Sequence, residues 1–103
     1  MRETQKSISE WATKTFGTPD NLITIYNRFV EETNELDHLI NDTEYLGNHQ
    51  RLEITDECAD CLIVLYQVAE TLGIDLHQAV DEKMSINRKR KWKITGQGVG
   101  QHE

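Results

Sequence analysis

The sequence predicts an all-α protein: a four-helix bundle whose small core is completed by oligomerisation. Three observations lead there. Apolar residues recur at helical spacing, no stretch alternates convincingly with period two, and one proline and six glycines leave few forced breaks. Helix 1 (about 4–16) places Ile8, Trp11, Ala12 and Phe16 on one face. Gly17-Thr18-Pro19 then reads as a helix end, an N-cap and a proline at the first helical position. Helix 2 (about 19–42) repeats Leu22, Ile25, Phe29, Leu36 and Ile40. Helix 3 (about 51–72) repeats Ile54, Cys58, Cys61, Leu65, Val68 and Leu72, and Gly73 follows as a stop. Asp75 with Gln78 resembles a capping box opening helix 4 (about 76–92), which carries Leu76, Ala79, Val80, Met84 and Ile86. Short connections favour antiparallel neighbours. Residues 1–93 are expected to form a single helical domain, and residues 94–103 a glycine-rich tail with Gly96, Gly98 and Gly100.

Composition narrows the setting. A chain of 103 residues buries only roughly two-thirds of its unfolded surface, so a homodimer or homotetramer is expected. The net charge of −7 argues against a protein that coats nucleic acid or an anionic membrane. No apolar run approaches the roughly 20 residues of a membrane span. The N-terminal segment lacks the apolar centre of a signal peptide. Cys58 and Cys61 are too few for a disulfide scaffold, and the expected setting is cytoplasmic and reducing.

The informative anomaly is where the acids fall. With Phe29 at the centre of the helix 2 stripe, Glu32 stands only about 60° away, and Glu35 follows on the same side. Glu31 points nearly opposite. On helix 3, centred on Cys61, Glu57 lies about 40° off the apolar axis and Asp60 about 100° off. A carboxylate in an apolar stripe is costly unless paired or bound to metal. Two such i, i+3 pairs on adjacent helices can bring four carboxylates to one spot. Oxygen ligands without accompanying His or Cys suit Mg²⁺, or alternatively Mn²⁺.

Charge is also segregated. Six of the 11 basic residues, Lys83, Arg88, Lys89, Arg90, Lys91 and Lys93, lie between 83 and 93. One reading is a basic helix end complementing its own dipole. The other is a phosphate clamp, with Lys83 and Asn87 on one face at i, i+4 and Lys91 continuing it.

At these residues the chain resembles a known family. Val30-Glu31-Glu32-Thr33-Asn34-Glu35-Leu36, then Glu57-Cys58-Ala59-Asp60 with 21 residues intervening between Glu35 and Glu57, is similar to the EExxE…ExxD signature of MazG-like nucleotide pyrophosphohydrolases. Leu72-Gly73-Ile74-Asp75 and the run from Asp81 to Arg88 resemble the same all-α family, and the likeness covers about residues 20–93. It implies Glu32, Glu35, Glu57 and Asp60 as metal ligands, with Glu31 in support. Lys83 and Asn87 become phosphate or sugar contacts, and Asn87 is closer to the dCTPase and dUTPase branches. The implied activity is hydrolysis of a nucleoside triphosphate to the monophosphate and pyrophosphate. Glu35 is the residue expected to accept the attacking water's proton.

Other features bear alternatives. Cys58-x-x-Cys61 sits mid-helix and is expected to be buried packing rather than a redox pair. Glu35-x-x-His38 is half of a di-iron motif, but the second half is absent from the sequence. His77 and His102 are expected at the surface. Trp11 either packs on helix 1 or stacks on the base, as Tyr45 or Trp92 also can. The tail is either frayed or closes over a nucleotide through Gln97, Gln101 and His102. A non-enzymatic rival is a helical module whose basic helix 4 binds a partner or nucleic acid, which leaves the core-side acids without a role.

Overall fold

The computed structural model describes residues 2–102, so Glu103 and the side chain of His102 lie outside the description. Four helices follow in order: α1 (Gln5–Phe16), α2 (Leu22–Asn41), α3 (Asn48–Leu72) and α4 (Leu76–Lys89). A two-stranded antiparallel hairpin, β1 (Trp92–Ile94) and β2 (Gly100–His102), ends the chain. The all-α expectation holds, with four helices where four apolar stripes were read.

The helix ends show which side chains satisfy the orphan N–H groups. Thr4 and Ser7 form a reciprocal capping box at α1, with Ser7 N donating to Thr4 Oγ1 at 3.0 Å and Thr4 N donating to Ser7 Oγ at 2.8 Å. Helix α2 starts later than the Thr18-Pro19 reading. Asn21 is its N-cap and accepts from Thr24 N at 3.1 Å. Asp75 caps α4 by accepting from Gln78 N, but Gln78 turns its own amide to Glu82 at 3.2 Å, so the box there is not reciprocal. Gly73 closes α3 in the left-handed conformation at φ +71°, where a side chain would be strained. Helix α4 stops at Lys89, and the 93/94 division drawn from the sequence falls inside β1.

Helix α3 is the organiser. Both α1 and α2 pack on it, whereas α4 packs extensively on none of the other helices. The core is correspondingly thin. Ala12, Ile25, Val64 and Ala69 are the buried apolar residues, and no large side chain among the described residues is fully enclosed. Leu52, Leu62 and Leu72 of α3 and Val80, Met84 and Ile86 of α4 stay exposed. The accessible surface is 8455 Å², against roughly 6,000 Å² for a compact monomer of this mass. The radius of gyration is 16.5 Å, against about 13 Å for a compact chain of this length. Cys58 is exposed and Cys61 half-buried, which corrects the expected packing pair: the helices packed on α3 leave Cys58 uncovered.

The turn from α3 to α4 is held by Gln5. Its amide nitrogen donates to Glu70 Oε1 at 2.8 Å and to the Ile74 carbonyl at 2.7 Å, and its oxygen accepts from Leu76 N at 2.8 Å. One side chain thus ties the start of α1 to both ends of the turn. Gln5→Ala is expected to lower stability by about 1–2 kcal/mol, measured by urea unfolding at fixed protein concentration.

Candidate metal and nucleotide site

Packing of α2 on α3 brings three carboxylates together. One ligand oxygen from each of Glu32, Glu35 and Glu57 lies within 4.8 Å of the others. Helical spacing explains the placement, because Glu32 and Glu35 are one turn apart on α2 and face Glu57 on α3. Glu32 is only 3% exposed and is the single buried charged residue among those described. Arg28, one turn earlier, pairs with Glu32 at 2.5 Å and with Glu31 at 3.0 Å. Glu31 itself faces solvent, as its helical angle predicts.

The electrostatics are those of an acid cluster that Arg28 neutralises only in part. Burial, followed by hydrogen bonds with Glu35 and Glu32 and by their charges, pushes the Glu57 carboxyl up to about 7. Glu32 Oε2 and Glu57 Oε2 are buried without a hydrogen-bond partner. Two orphaned carboxylate oxygens beside a third carboxylate fit a divalent cation, which supplies the missing charge and takes oxygen ligands. The nearby Cys61 thiol is pushed up by burial and then by the Glu57 and Glu32 charges, so it remains a neutral thiol.

A cavity of about 490 Å³ opens beside Glu32 and is lined by Trp11, Phe16, Arg28, Glu32, Asp60, Ile63, Val64 and Gln67. Asp60 therefore stands on the wall next to Glu32, outside the three-carboxylate group. Trp11 is 54% exposed, and its ring meets Phe16 edge-on at 5.3 Å. It is a cavity wall more than a core residue. Arg28, Phe16 and Gln67 were missed in the sequence. Arg28 had a signal, since it precedes Glu31 and Glu32 at i, i+3 and i, i+4 spacing. Phe16 and Gln67 meet only through tertiary packing.

Lys83, Asn87 and Lys91 are not on this wall. Lys83 and Asn87 lie on α4 and Lys91 just beyond it, and α4 is not packed on the α2–α3 pair. Asn87 instead lines a second cavity of about 720 Å³ with Met84, Arg88, Trp92 and the hairpin glycines. Trp92 Nε1 donates to the Asn87 carbonyl at 2.7 Å, and Gly100 lies against the indole, where a Cβ would approach to 3.2 Å. The tail is thus a paired hairpin folded on Trp92 and not a frayed end. Tyr45 is 77% exposed, and His77 is exposed with its ring hydrogen-bonded to Tyr66 at 3.0 Å.

Known proteins share this fold. The model of the MazG-like family matches residues 30–101. A dATP/dGTP diphosphohydrolase of Salmonella phage PMBT28 is 37% identical over 102 residues, 99% of this chain but 31% of that protein. A dATP/dGTP diphosphohydrolase of cyanophage S-2L is 39% identical over 46 residues, 45% of this chain and 44% of its own length. The chain therefore spans less than half of the curated relatives it matches. Among solved structures, the cyanophage S-2L MazG-like pyrophosphohydrolase bound to dGDP and three catalytic Mn²⁺ ions per active site superposes with a TM-score of 0.72 at 25% identity, covering 96% of this chain and 88% of that one.

The acid cluster sets a trade between stability and binding. In the metal-free chain Glu57 holds its proton up to about 7, against 4.5 for an ordinary Glu. Its contribution to stability is complete below the ordinary value and is lost as pH rises through about 7. Glu57→Gln is therefore expected to leave the metal-free melting temperature unchanged or raised at pH 8, and to abolish the rise that Mn²⁺ produces in the unmodified chain. Thermal melts with and without Mn²⁺ at pH 5 and pH 8 check both signs.

Proposed function

This chain belongs to the MazG-like family, and from that premise we propose that it hydrolyses a deoxynucleoside triphosphate to the monophosphate and pyrophosphate. The observation that carries the reading is the Glu32, Glu35 and Glu57 cluster with two buried, unpartnered carboxylate oxygens beside a nucleotide-sized cavity. The names of the two phage relatives support a purine deoxynucleotide as substrate.

Glu32, Glu35, Glu57 and Asp60 are the ligands for Mg²⁺, with Mn²⁺ as the alternative that the cyanophage structure supports. When bound, such a cation supplies positive charge against the phosphates and acidifies the attacking water. The protein's own residues do the rest. Glu35, the exposed member of the cluster, accepts the proton of the water that attacks the α-phosphorus. Arg28 holds the Glu32 carboxylate in orientation through their ion pair. Trp11 offers an indole face for the base on the wall of the same cavity.

Lys83, Asn87 and Lys91 are proposed to orient the phosphate chain, and this asks for a second copy. The basic run from 83 to 93 and the acid cluster are complementary in charge, yet they do not meet within one protomer. The surface in excess of a compact monomer, roughly 2,500 Å², matches what obligate assemblies bury. A homodimer or homotetramer in which α4 of one copy covers the cavity of another satisfies both. The interaction-module alternative leaves the three carboxylates crowded together without a role.

Turnover of a panel of deoxynucleoside triphosphates with Mg²⁺ or Mn²⁺, followed by chromatography, tests the activity. Purine substrates are expected to yield monophosphate and pyrophosphate, and Glu35→Gln to lower kcat by about 10²–10⁴-fold. No turnover with either metal would sink the reading. Light scattering is expected to show an assembly, and a stable 11.9 kDa monomer at micromolar concentration would contradict it.

A further inference from the structure

We infer that Gln67 reads the base, accepting both purines by rotating its amide. The inference rests on the nucleotide reading above and assigns the specificity end of the same cavity. Asp60 and Gln67 are seven residues apart on α3 and line one cavity, which separates them by about 10 Å along the helix axis. That is the reach of an extended purine nucleotide from its α-phosphate to its Watson–Crick edge. The walls between them are Trp11, Phe16, Ile63 and Val64, two aromatic rings and two aliphatic side chains suited to a flat heterocycle.

The polar groups are sorted along this length. The charged lining residues are Glu32, Asp60 and Arg28, the last paired with Glu32, and Gln67 is the uncharged polar residue, two turns along α3 from Asp60. Its side-chain amide has no hydrogen-bond partner among the described residues, while its backbone carbonyl is taken by Thr71 Oγ1 at 2.9 Å. The amide is half-buried and open to a ligand. An amide offers a donor and an acceptor side by side. In one orientation these match the amino group and N1 of adenine, and turned by a half-rotation they match O6 and N1–H of guanine. A pyrimidine presents either pattern too, but its shorter ring leaves it out of reach of Gln67. Reach selects for purines, and the reversible amide removes discrimination between them.

Gln67→Glu replaces the donor with a second acceptor at constant size. The variant is expected to keep guanine, which offers N1–H and an amino group, and to repel the adenine N1 lone pair. Calorimetric binding of dGMP and dAMP to the full chain is expected to show comparable affinities, with the ratio shifting at least about tenfold toward dGMP in Gln67→Glu. In turnover, Gln67→Leu is expected to raise KM for both purine triphosphates by about tenfold or more, with the Mn²⁺-induced melting shift retained. A dGMP to dAMP affinity ratio within twofold of the original in folded Gln67→Glu overturns the assignment, as does failure of the unmodified chain to bind either monophosphate. Because binding is read without hydrolysis, absent turnover counts against the proposed reaction alone, and the affinity ratio still decides Gln67.

Discussion

Three carboxylates held within 4.8 Å of one another are the constraint around which the rest of this chain is organised. Bringing α2 onto α3 buries Ile25 and Val64, and the same contact carries Glu32 out of water and sets Glu35 and Glu57 against it. Nothing in the apolar packing can be kept without accepting that crowding. Arg28 offsets part of it from one side. The remainder is met by a proton on Glu57 or by a cation, and the two are alternatives because they satisfy the same charge deficit. A site that binds metal tightly is for the same reason a poor contributor to the stability of the empty fold.

The thinness of the core follows from the division of labour among the helices. Helix α3 is long enough to receive α1 on one side and α2 on another, yet it still has Leu52, Leu62 and Leu72 left over. Helix α4 contributes apolar Val80, Met84 and Ile86 and a basic end, and the chain covers neither. An exposed apolar face and an exposed charge of opposite sign to the acid cluster are two requests for one neighbour. The hairpin stiffens the far end of α4, since Trp92 is fastened to the Asn87 carbonyl and packed by Gly100. In the proposed assembly, a surface that meets another copy gains from arriving already ordered.

What was legible in the chain was whatever depends on local geometry. The period of 3.6 residues placed Glu32 and Glu57 toward the apolar side and Glu31 away from it, and the structure repeats those angles because a helix fixes them over a single turn. The Thr18-Pro19 start was misread for an equally local reason. Asn21 is a competing cap three residues on, and it satisfies Thr24 through both the backbone and the hydroxyl. Cys58 was misjudged because a stripe says which residues share a face but not whether that face is covered.

The sequence by itself determined four helices, their apolar sides, the acids on those sides and the basic run after Lys83. These are properties of neighbours within a turn or two, where backbone geometry leaves little choice. Tertiary structure alone decided that Asp60 stands beside the three-carboxylate group on the cavity wall, that α4 stays away from it, and that Phe16 and Gln67 join Trp11 around one cavity. Those outcomes pair residues from 28 positions apart (Glu32 and Asp60) to 56 (Trp11 and Gln67). Which distant faces meet is set by how whole helices fill space against each other, and no single stretch of sequence carries that.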